Sequence, residues 1–591
     1  MANWMDNPAA VMNIGVAGWF GEKSQPALDS ARALFNFVIE EGSSYCSEKY
    51  GFSGEPFRVN LFTSPEIGGR EWLEPADNKI LFANAIASSK ENTDLPSDYK
   101  DKLYSLVNLE DKDTVFSGNK TFIAEWIASR VDLAIVLWDG GEDGPGAAGW
   151  LLLQACRRLK VPVVWMDMED PSKIYWAGDS YYDSFNKEGL KEYMATLFNP
   201  GDAGVWKQSG VSVPFYGLWM KLYTRFMKKY KAQAEAVPYV KDILLDPAVP
   251  FEASESASTN HQRLAGAFQQ LDMEAGRLSR LYNSSLYFRA VVPLIITVFI
   301  TIGFYIENVV GFIYQPQVGG KLLNLWAYTA GIGFFIHAFL NYHVFALSKN
   351  NSIHTVKRRF LYHRFAAEYL RVSLHFIPLG IPVYFKADRF GDKLLAEKPL
   401  VHKLRALTRD MEPMNVDYDR VLFDKLLDHL EKMVEDQSAY HITIQRRYAL
   451  IVKRLKALSG IFFFVGFFFV LARGVLQLAL VPLDLNGIVH NGINLKTFIK
   501  SSANMLALFL PAVASYFSAK LSLCNFEGLF ENSCLMEKEL AALKKNIAHL
   551  RLRNHPTYES LFILSREVLA LMTGEVKNWY YRMQSQNFTR L

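Results

Sequence analysis

Four apolar runs constrain this chain more than any other feature, because each is near the length of about 20 residues that a helix needs to cross a hydrocarbon layer about 30 Å thick. They cover 290–313, 323–347, 461–483 and 503–523 and fall into two pairs. A Pro- and Gly-containing stretch at 315–321 separates the first pair, and a polar Asp/Asn/Gly-rich loop at 484–502 the second, so each pair reads as a helical hairpin. Asn341, His343 and Pro511 would also suit a buried helix of a soluble protein, but 461–471 holds eleven residues without a polar side chain, which favours insertion.

Lys and Arg are retained on the cytoplasmic side of a membrane, and here they mark one side. Lys349, Lys357, Arg358 and Arg359 follow the second run, and Arg446, Arg447, Lys453, Arg454 and Lys456 precede the third, against Lys321, Lys496 and Lys500 in the two short connections. Both termini and the segment 348–458 are therefore expected inside. Apolar residues at three- and four-residue intervals over 421–437 predict an amphipathic helix continuing towards the third run, and similar material flanks the hairpins at 261–286 and 526–552. The layout is a twofold repeat of helix, hairpin, helix. A charge inside such a span is expensive unless it faces protein or water, by about 2.5 kcal/mol or more near the centre. Arg473 in the third run and Glu307 in the first are thus pore-lining candidates; an interhelical bond for Arg473 and snorkelling for Glu307 remain open. No chain of intramembrane acids, paired helix break or carbonyl filter motif is present, which disfavours a proton pump, a transporter or a selective channel.

Outside the spans the chain has ordinary soluble character. Its 64 basic and 60 acidic residues give a net charge of +4, too little for a nucleic-acid-coating surface, so no nucleic-acid partner is expected. Cys46, Cys156, Cys524 and Cys534 show neither paired spacing nor a Cys/His ligand pattern, which argues against a disulfide framework and a metal site. The first residues lack a basic stretch followed by an apolar one, so the N-terminal domain is expected to stay in the cytoplasm. The expected division is an α/β domain at 1–200, a connecting segment at 201–260, a helix and first hairpin at 261–350, a cytoplasmic helical region at 351–458, the second hairpin at 459–525, and cytoplasmic helices at 526–591.

Short β-rich runs alternate with helical ones over 12–200. The sequence predicts strands at MNIGVAGW, FRVNLFTS, VDLAIVLWDGG and VPVVWMDM, with helices at 26–41, 121–130 and 149–159. The near-continuous apolarity of 131–138 and 161–166 is that of strands covered on both faces, hence a Rossmann-like parallel sheet. In such sheets ligands sit at the carboxyl ends of strands, where Gly-rich turns admit phosphate to helix N-termini. Two turns qualify: Gly15-Val16-Ala17-Gly18-Trp19-Phe20-Gly21, and Asp139 to Gly149 with Gly140, Gly144 and Gly146. Gly15 to Gly21 lacks the full GxGxxG spacing and no GxxxxGK[ST] occurs, so an ordinary dinucleotide enzyme and a P-loop ATPase are not indicated. Further candidate contacts are Ser64, Glu66 and Arg70 after the second strand, Trp19 and Trp138 as stacking surfaces, and Asp139 as an acceptor for a ribose hydroxyl. Rim packing for Trp138, solvation for Arg70 and a turn-forming role for Asp139 fit as well.

The stretch Asp132-Leu-Ala-Ile-Val-Leu-Trp138-Asp139-Gly140, followed by Gly144-Pro145-Gly146-Ala-Ala-Gly149 and by Val161-Pro162-Val163-Val164, resembles the SLOG superfamily, Rossmann-like domains related to DprA and to the LOG phosphoribohydrolases. The resemblance covers about residues 12–180. Together with the hairpins and a tail containing Glu575-Val-Lys-Asn-Trp579, it is similar to four-helix membrane effectors in bacterial anti-phage defence. It implies a nucleotide second messenger as ligand, a synthase encoded elsewhere as its source, no resident cofactor, a multi-pass inner-membrane protein and a homo-oligomer. LOG enzymes carry a PGGxGTxxE signature whose Glu serves hydrolysis, whereas Leu153 holds that position here and the neighbouring Gln154 cannot exchange a proton in its place. That departure implies binding without turnover. A tethered N-glycosidic hydrolase using Glu66, Glu71 or Asp139 is the alternative, and a membrane scaffold the third reading.

Overall fold

The apolar run 131–138 forms the middle of a twisted sheet. The computed structural model describes residues 11–18, 25–50, 58–64, 81–87, 103–108, 120–141, 147–159, 161–177, 183–198, 264–284, 351–376, 416–417, 420–479, 489–490, 493–523, 525–553 and 557–585, with isolated positions among 291–303 and at 381, 404 and 408. Six strands of five or more residues, β1 (Val11–Ala17), β2 (Arg58–Thr63), β3 (Leu81–Ala87), β4 (Leu103–Asn108), β5 (Leu133–Trp138) and β6 (Val163–Asp167), pair with one another in parallel. The short strands β7 (Ile174–Ala177), β8 (Asp183–Ser184) and β9 (Val416–Asp417) complete the order β8-β7-β6-β5-β1-β2-β3-β4-β9.

The expectation of a purely parallel sheet is corrected at one edge, where β7 pairs antiparallel with β6 and β8 antiparallel with β7. Only six residues join β6 to β7, and a parallel crossover needs about a dozen. The Asp167 and Asp170 carboxylates accept backbone N–H bonds within that turn, which fixes the reversal. At the other edge β9 lies parallel to β4, although it comes from more than 300 residues downstream.

Pleating sends alternate residues to opposite faces. Met12, Ile14, Val16, Leu61, Leu133, Ile135 and Leu137 pack with α1 (Gln25–Tyr50) and α4 (Lys187–Leu197) on one face. Phe62, Ala134, Val136, Trp138 and Trp165 pack with α2 (Lys120–Ala128) and α3 (Ala147–Leu159) on the other. This second core is continuous with the helical part of the chain: α5 (264–284), α6 (Asn351–Phe376), the first half of α7 (Arg420–Ala479), α9 (Phe526–Arg551) and α10 (Tyr558–Ser585). Phe122 of α2 meets Tyr558 and Phe562 of α10 edge-on at 5.9 and 5.2 Å, and Arg566 reaches Glu125 at 3.1 Å.

The amphipathic stretch and the third apolar run are one 60-residue helix, α7. Its first half buries Phe423, Leu426, Leu427, Leu430 and Val434, whereas Phe464, Phe468 and Leu478 in its second half are 70%, 64% and 77% exposed. Helix α8 (Leu495–Leu523) returns beside it after a two-residue ladder of β10 (Val489–His490) with β11 (Ile493–Asn494). At their crossing a Cβ on Gly466 would lie 2.9 Å from Pro511 Cδ, Phe462 stacks on Phe517, and the Ser459 hydroxyl donates to Ala514 O at 3.0 Å. Charge fixes the antiparallel register of α9 on α7. Arg551 binds Asp428 and Glu431, Lys544 binds Glu435, and the polarity reverses farther along, where Lys456 binds Glu527.

Among the described residues two helices, within Arg420–Val475 and Ser502–Arg551, are long and apolar enough to cross a membrane. Of the four expected spans, the two of the second hairpin fall within these helices; the runs 290–313 and 323–347 lie largely outside the described residues.

Two outcomes are expected from this packing. Phe562, 1% exposed, anchors α10 on α2, so Phe562→Ala should cost about 3–5 kcal/mol, read as a lowered unfolding midpoint in detergent. Burial holds the imidazoles of His363 and His429 below their ordinary 6.5, each moderated by a backbone carbonyl contact. The unfolded chain then binds those protons more readily than the folded one, so stability present at neutral pH should fall as pH drops below 6.5 through the folded-state values. His429→Gln should flatten that dependence in midpoints measured from pH 7.5 to 5.

Candidate functional site

In this strand order the chain leaves β1 towards β2, β3 and β4 on one side, then crosses to β5 and β6 on the other. The reversal lies between β1 and β5, which is where an open α/β sheet forms its ligand crevice at the carboxyl ends of the strands. Both Gly-rich turns named from the sequence begin there, one after Ala17 and one after Trp138. Helix α1 follows the first turn on one face and α3 the second on the other, so their N-termini converge on the crevice. Neither has an acidic residue in its first turn, which leaves both positive dipole ends unopposed by a helix-borne carboxylate.

The glycines here are required by packing. Gly18 has φ +150°, and a Cβ on it would lie 2.6 Å from Leu137 Cβ; a Cβ on Gly149 would lie 2.4 Å from the Leu137 carbonyl oxygen. The first turn and the start of α3 are therefore pressed against the same residue at the end of β5. Gly15 lies one layer deeper, where a Cβ would meet Ile127 at 3.0 Å, and Ala17 is fully buried. Gly140 turns the chain at φ +81°. Asp139, exposed, accepts the Gly141 N–H at 3.0 Å, so its carboxylate closes the turn while remaining open to solvent.

Trp138 is 3% exposed. Its indole stacks on Trp150 at 5.0 Å, meets Trp165 edge-on at 4.9 Å, and donates from Nε1 to the Gly141 carbonyl at 2.6 Å. Trp165 in turn stacks on Tyr175, making an aromatic row that supports the turn from beneath. Ser64 is fully buried at the end of β2. Trp19, Glu66, Glu71, Arg70, Gly144, Gly146 and, in the first hairpin, Glu307 lie outside the described residues. Arg473 is partly exposed in the apolar half of α7, about 10 Å along the axis from Gly466.

The opposite, amino end of the sheet is tied by buried polar groups. Asn13 donates its backbone N–H to Asp132 and its amide to the Arg130 carbonyl, and Asn60 donates to Asn13 Oδ1 at 2.9 Å. This network locks the crossover to β5 from below and leaves the carboxyl end to the turns. Leu153 is fully buried in the α2–α3 core. Cys156 and Cys534 are free thiols, and burial pushes the Cys156 thiol far above its ordinary range. No group of three or more His, Cys, Asp or Glu among the described residues has the arrangement of a metal site.

One connection was not visible in the sequence. Glu125 of α2 binds Arg158 of α3 and Arg566 of α10, so the helix that starts at the crevice is bridged to the C-terminal helix through one carboxylate. Farther along, Glu575 of α10 lies 3.4 Å from His441 Nε2 on α7. No protein-family model, curated protein or solved structure matches this chain.

The close approach at α3 gives a direct test. Gly149→Ala should cost about 1–3 kcal/mol through overlap with backbone, whereas Gly140→Ala, with no atom within 4 Å of a new Cβ, should lose only the roughly 1–2 kcal/mol of a strained φ. Unfolding followed by tryptophan fluorescence reads both, since the aromatic row adjoins each.

Proposed function

We propose that this chain is a nucleotide-gated membrane effector: the α/β domain binds a nucleotide second messenger at the β1–β5 crevice, and binding rearranges the helices so that the membrane becomes permeable. The observation that carries the reading is the convergence of two helix N-termini, each free of first-turn carboxylates, on the reversal point of the sheet. The resemblance to the SLOG superfamily points to the same crevice. Leu153 in place of a catalytic Glu favours sensing over turnover, since a buried leucine offers no proton.

The bilayer is the partner of the exposed apolar half of α7 and of α8, whose phenylalanines and leucines would otherwise stand in water. With Lys453 and Lys456 exposed just before the apolar half, the α/β domain and both termini lie on the cytoplasmic side of a bacterial inner membrane, with the first hairpin completing four spans. Four helices in one chain barely enclose a path, so the active state is a symmetric homo-oligomer in which Arg473 and Glu307 face the path. A synthase encoded elsewhere supplies the messenger, and the physiological result is abortive infection. A ligand shifts the membrane part only by the difference in its affinity for the two states. The route from α3 through Glu125 and Arg566 to α10, and from Glu575 to His441 of α7, is a contiguous one for that coupling.

Proteoliposomes with a potassium gradient and a potential-sensitive dye test this. Addition of ADP-ribose or of cyclic di-AMP to the face bearing the α/β domain should collapse the potential in the parent and not in Gly146→Asp. That substitution places a carboxylate immediately before α3, where Asp caps a helix well yet repels an anionic ligand. An unchanged potential with every nucleotide, or release of a free base by the parent, would overturn the reading.

A further inference from the structure

The chain holds a buried hydroxyl at the crevice that the fold itself does not use. Thr63, the last residue of β2, is 1% exposed, and its Oγ1 has no hydrogen-bond partner. Unpaired buried hydroxyls are destabilising and uncommon, and a valine would fill the same space without the penalty. The rest of the domain shows what ordinary satisfaction looks like: at the amino end Asn13, Asn60 and Asp132 pair with one another and with backbone. The other buried orphans of this domain and the helices, Trp126 Nε1, His441 and Ser565 among them, lie on helices away from the crevice. Among the described residues Thr63 is the one at the carboxyl end of a strand.

Its direction follows from the pleat. Phe62 faces α2, where it meets Trp126 edge-on, and Leu61 faces α1; Thr63 shares the face of Leu61. In the register that pairs Gly15 with Phe62, Thr63 stands level with Val16, two residues short of Gly18. Ala85 of β3 is its register partner on the other side. The hydroxyl thus sits at the carboxyl end of the sheet, on the face that packs with α1. A donor O–H at the carboxyl end of an α/β sheet is suited to an anionic oxygen.

We propose that Thr63 Oγ1 is a ligand contact, donating its hydrogen bond to a phosphoryl oxygen of a nucleotide held at the carboxyl ends of β5, β1 and β2. This rests on the sensing role assigned to the crevice and extends it: the ligand reaches from the β1–β5 reversal across β1 to β2, one strand spacing or about 4.8 Å farther. A nucleotide with two phosphoryl groups, as in a pyrophosphate or a cyclic dinucleotide, can place one at the reversal and the other beside Thr63.

The experiment compares the full chain in detergent with Thr63→Val, Thr63→Ser and Gly146→Asp by thermal unfolding, without ligand and with ADP-ribose, cyclic di-AMP or inorganic phosphate. Without ligand, Thr63→Val should unfold at a higher temperature than the parent, because it removes an unpaired hydroxyl. A lower midpoint would mean that the fold uses the hydroxyl and would overturn the proposal. With ADP-ribose or cyclic di-AMP the parent and Thr63→Ser should shift upward, while Thr63→Val should bind about tenfold more weakly, the loss of one hydrogen bond. Equal shifts in parent and Thr63→Val, absent in Gly146→Asp, would sink the Thr63 assignment and leave the crevice standing. No shift in the parent with either nucleotide would remove the sensing role and this contact together, and a response to inorganic phosphate alone would refute the two-phosphoryl span.

Discussion

A helix of 60 residues is about 90 Å long, and nothing but its own backbone hydrogen bonds runs its whole length. In α7 those bonds join a buried half and an exposed apolar half without a break. The first half excludes water by burying Phe423, Leu426, Leu430 and Val434 against α6, α9 and α10, and the second half presents bare Phe and Leu. Only a segment whose polar backbone is satisfied internally can make that passage. The remaining helices are arranged around it: α8 crosses at Gly466 and Pro511, and α9 is set by ion pairs whose polarity switches along the contact.

The α/β domain is joined to this rod by side chains at α2. Phe122 supplies area and Glu125 supplies direction, since a carboxylate shared by Arg158 and Arg566 ties α3 and α10 to a common point. Exposed ion pairs contribute little to stability, so the weight of the contact falls on the aromatics, with the charges setting its register. The sheet is anchored to the helices at this contact, near the C-terminal end of α3, and again where β9 pairs with β4.

Strong patterns were legible in the sequence and weak ones were not. The unbroken apolarity of 131–138 announced a central strand, and the three- and four-residue rhythm of 421–437 announced the first half of α7. Both Gly-rich turns were placed at strand ends, and the topology brings them together at β1 and β5. Strands β3 and β4, reading LFANAIA and LYSLVN, escaped notice because their polar residues interrupt the apolar period. β9, two residues long, has no local signature at all, and its pairing is purely tertiary. Helix α1 runs nine residues beyond its expected end at Glu41, through Gly42 and two serines that propensity alone would read as a stop. Thr63 was passed over for its neighbour Ser64, since a missing hydrogen-bond partner belongs to the fold and not to the letters.

The position of β9 has a mechanical meaning. It pairs with the edge strand β4 through Val416 and Asp417, and α7 begins three residues later at Arg420. The sheet thus holds the root of a lever whose far end is at the tip of the apolar hairpin. For an arm of about 90 Å, a tilt of about 2° at the root displaces the tip by about 3 Å, enough to unseat one side chain from its groove. A sheet that changed its twist only slightly would deliver that angle without unfolding any of its strands.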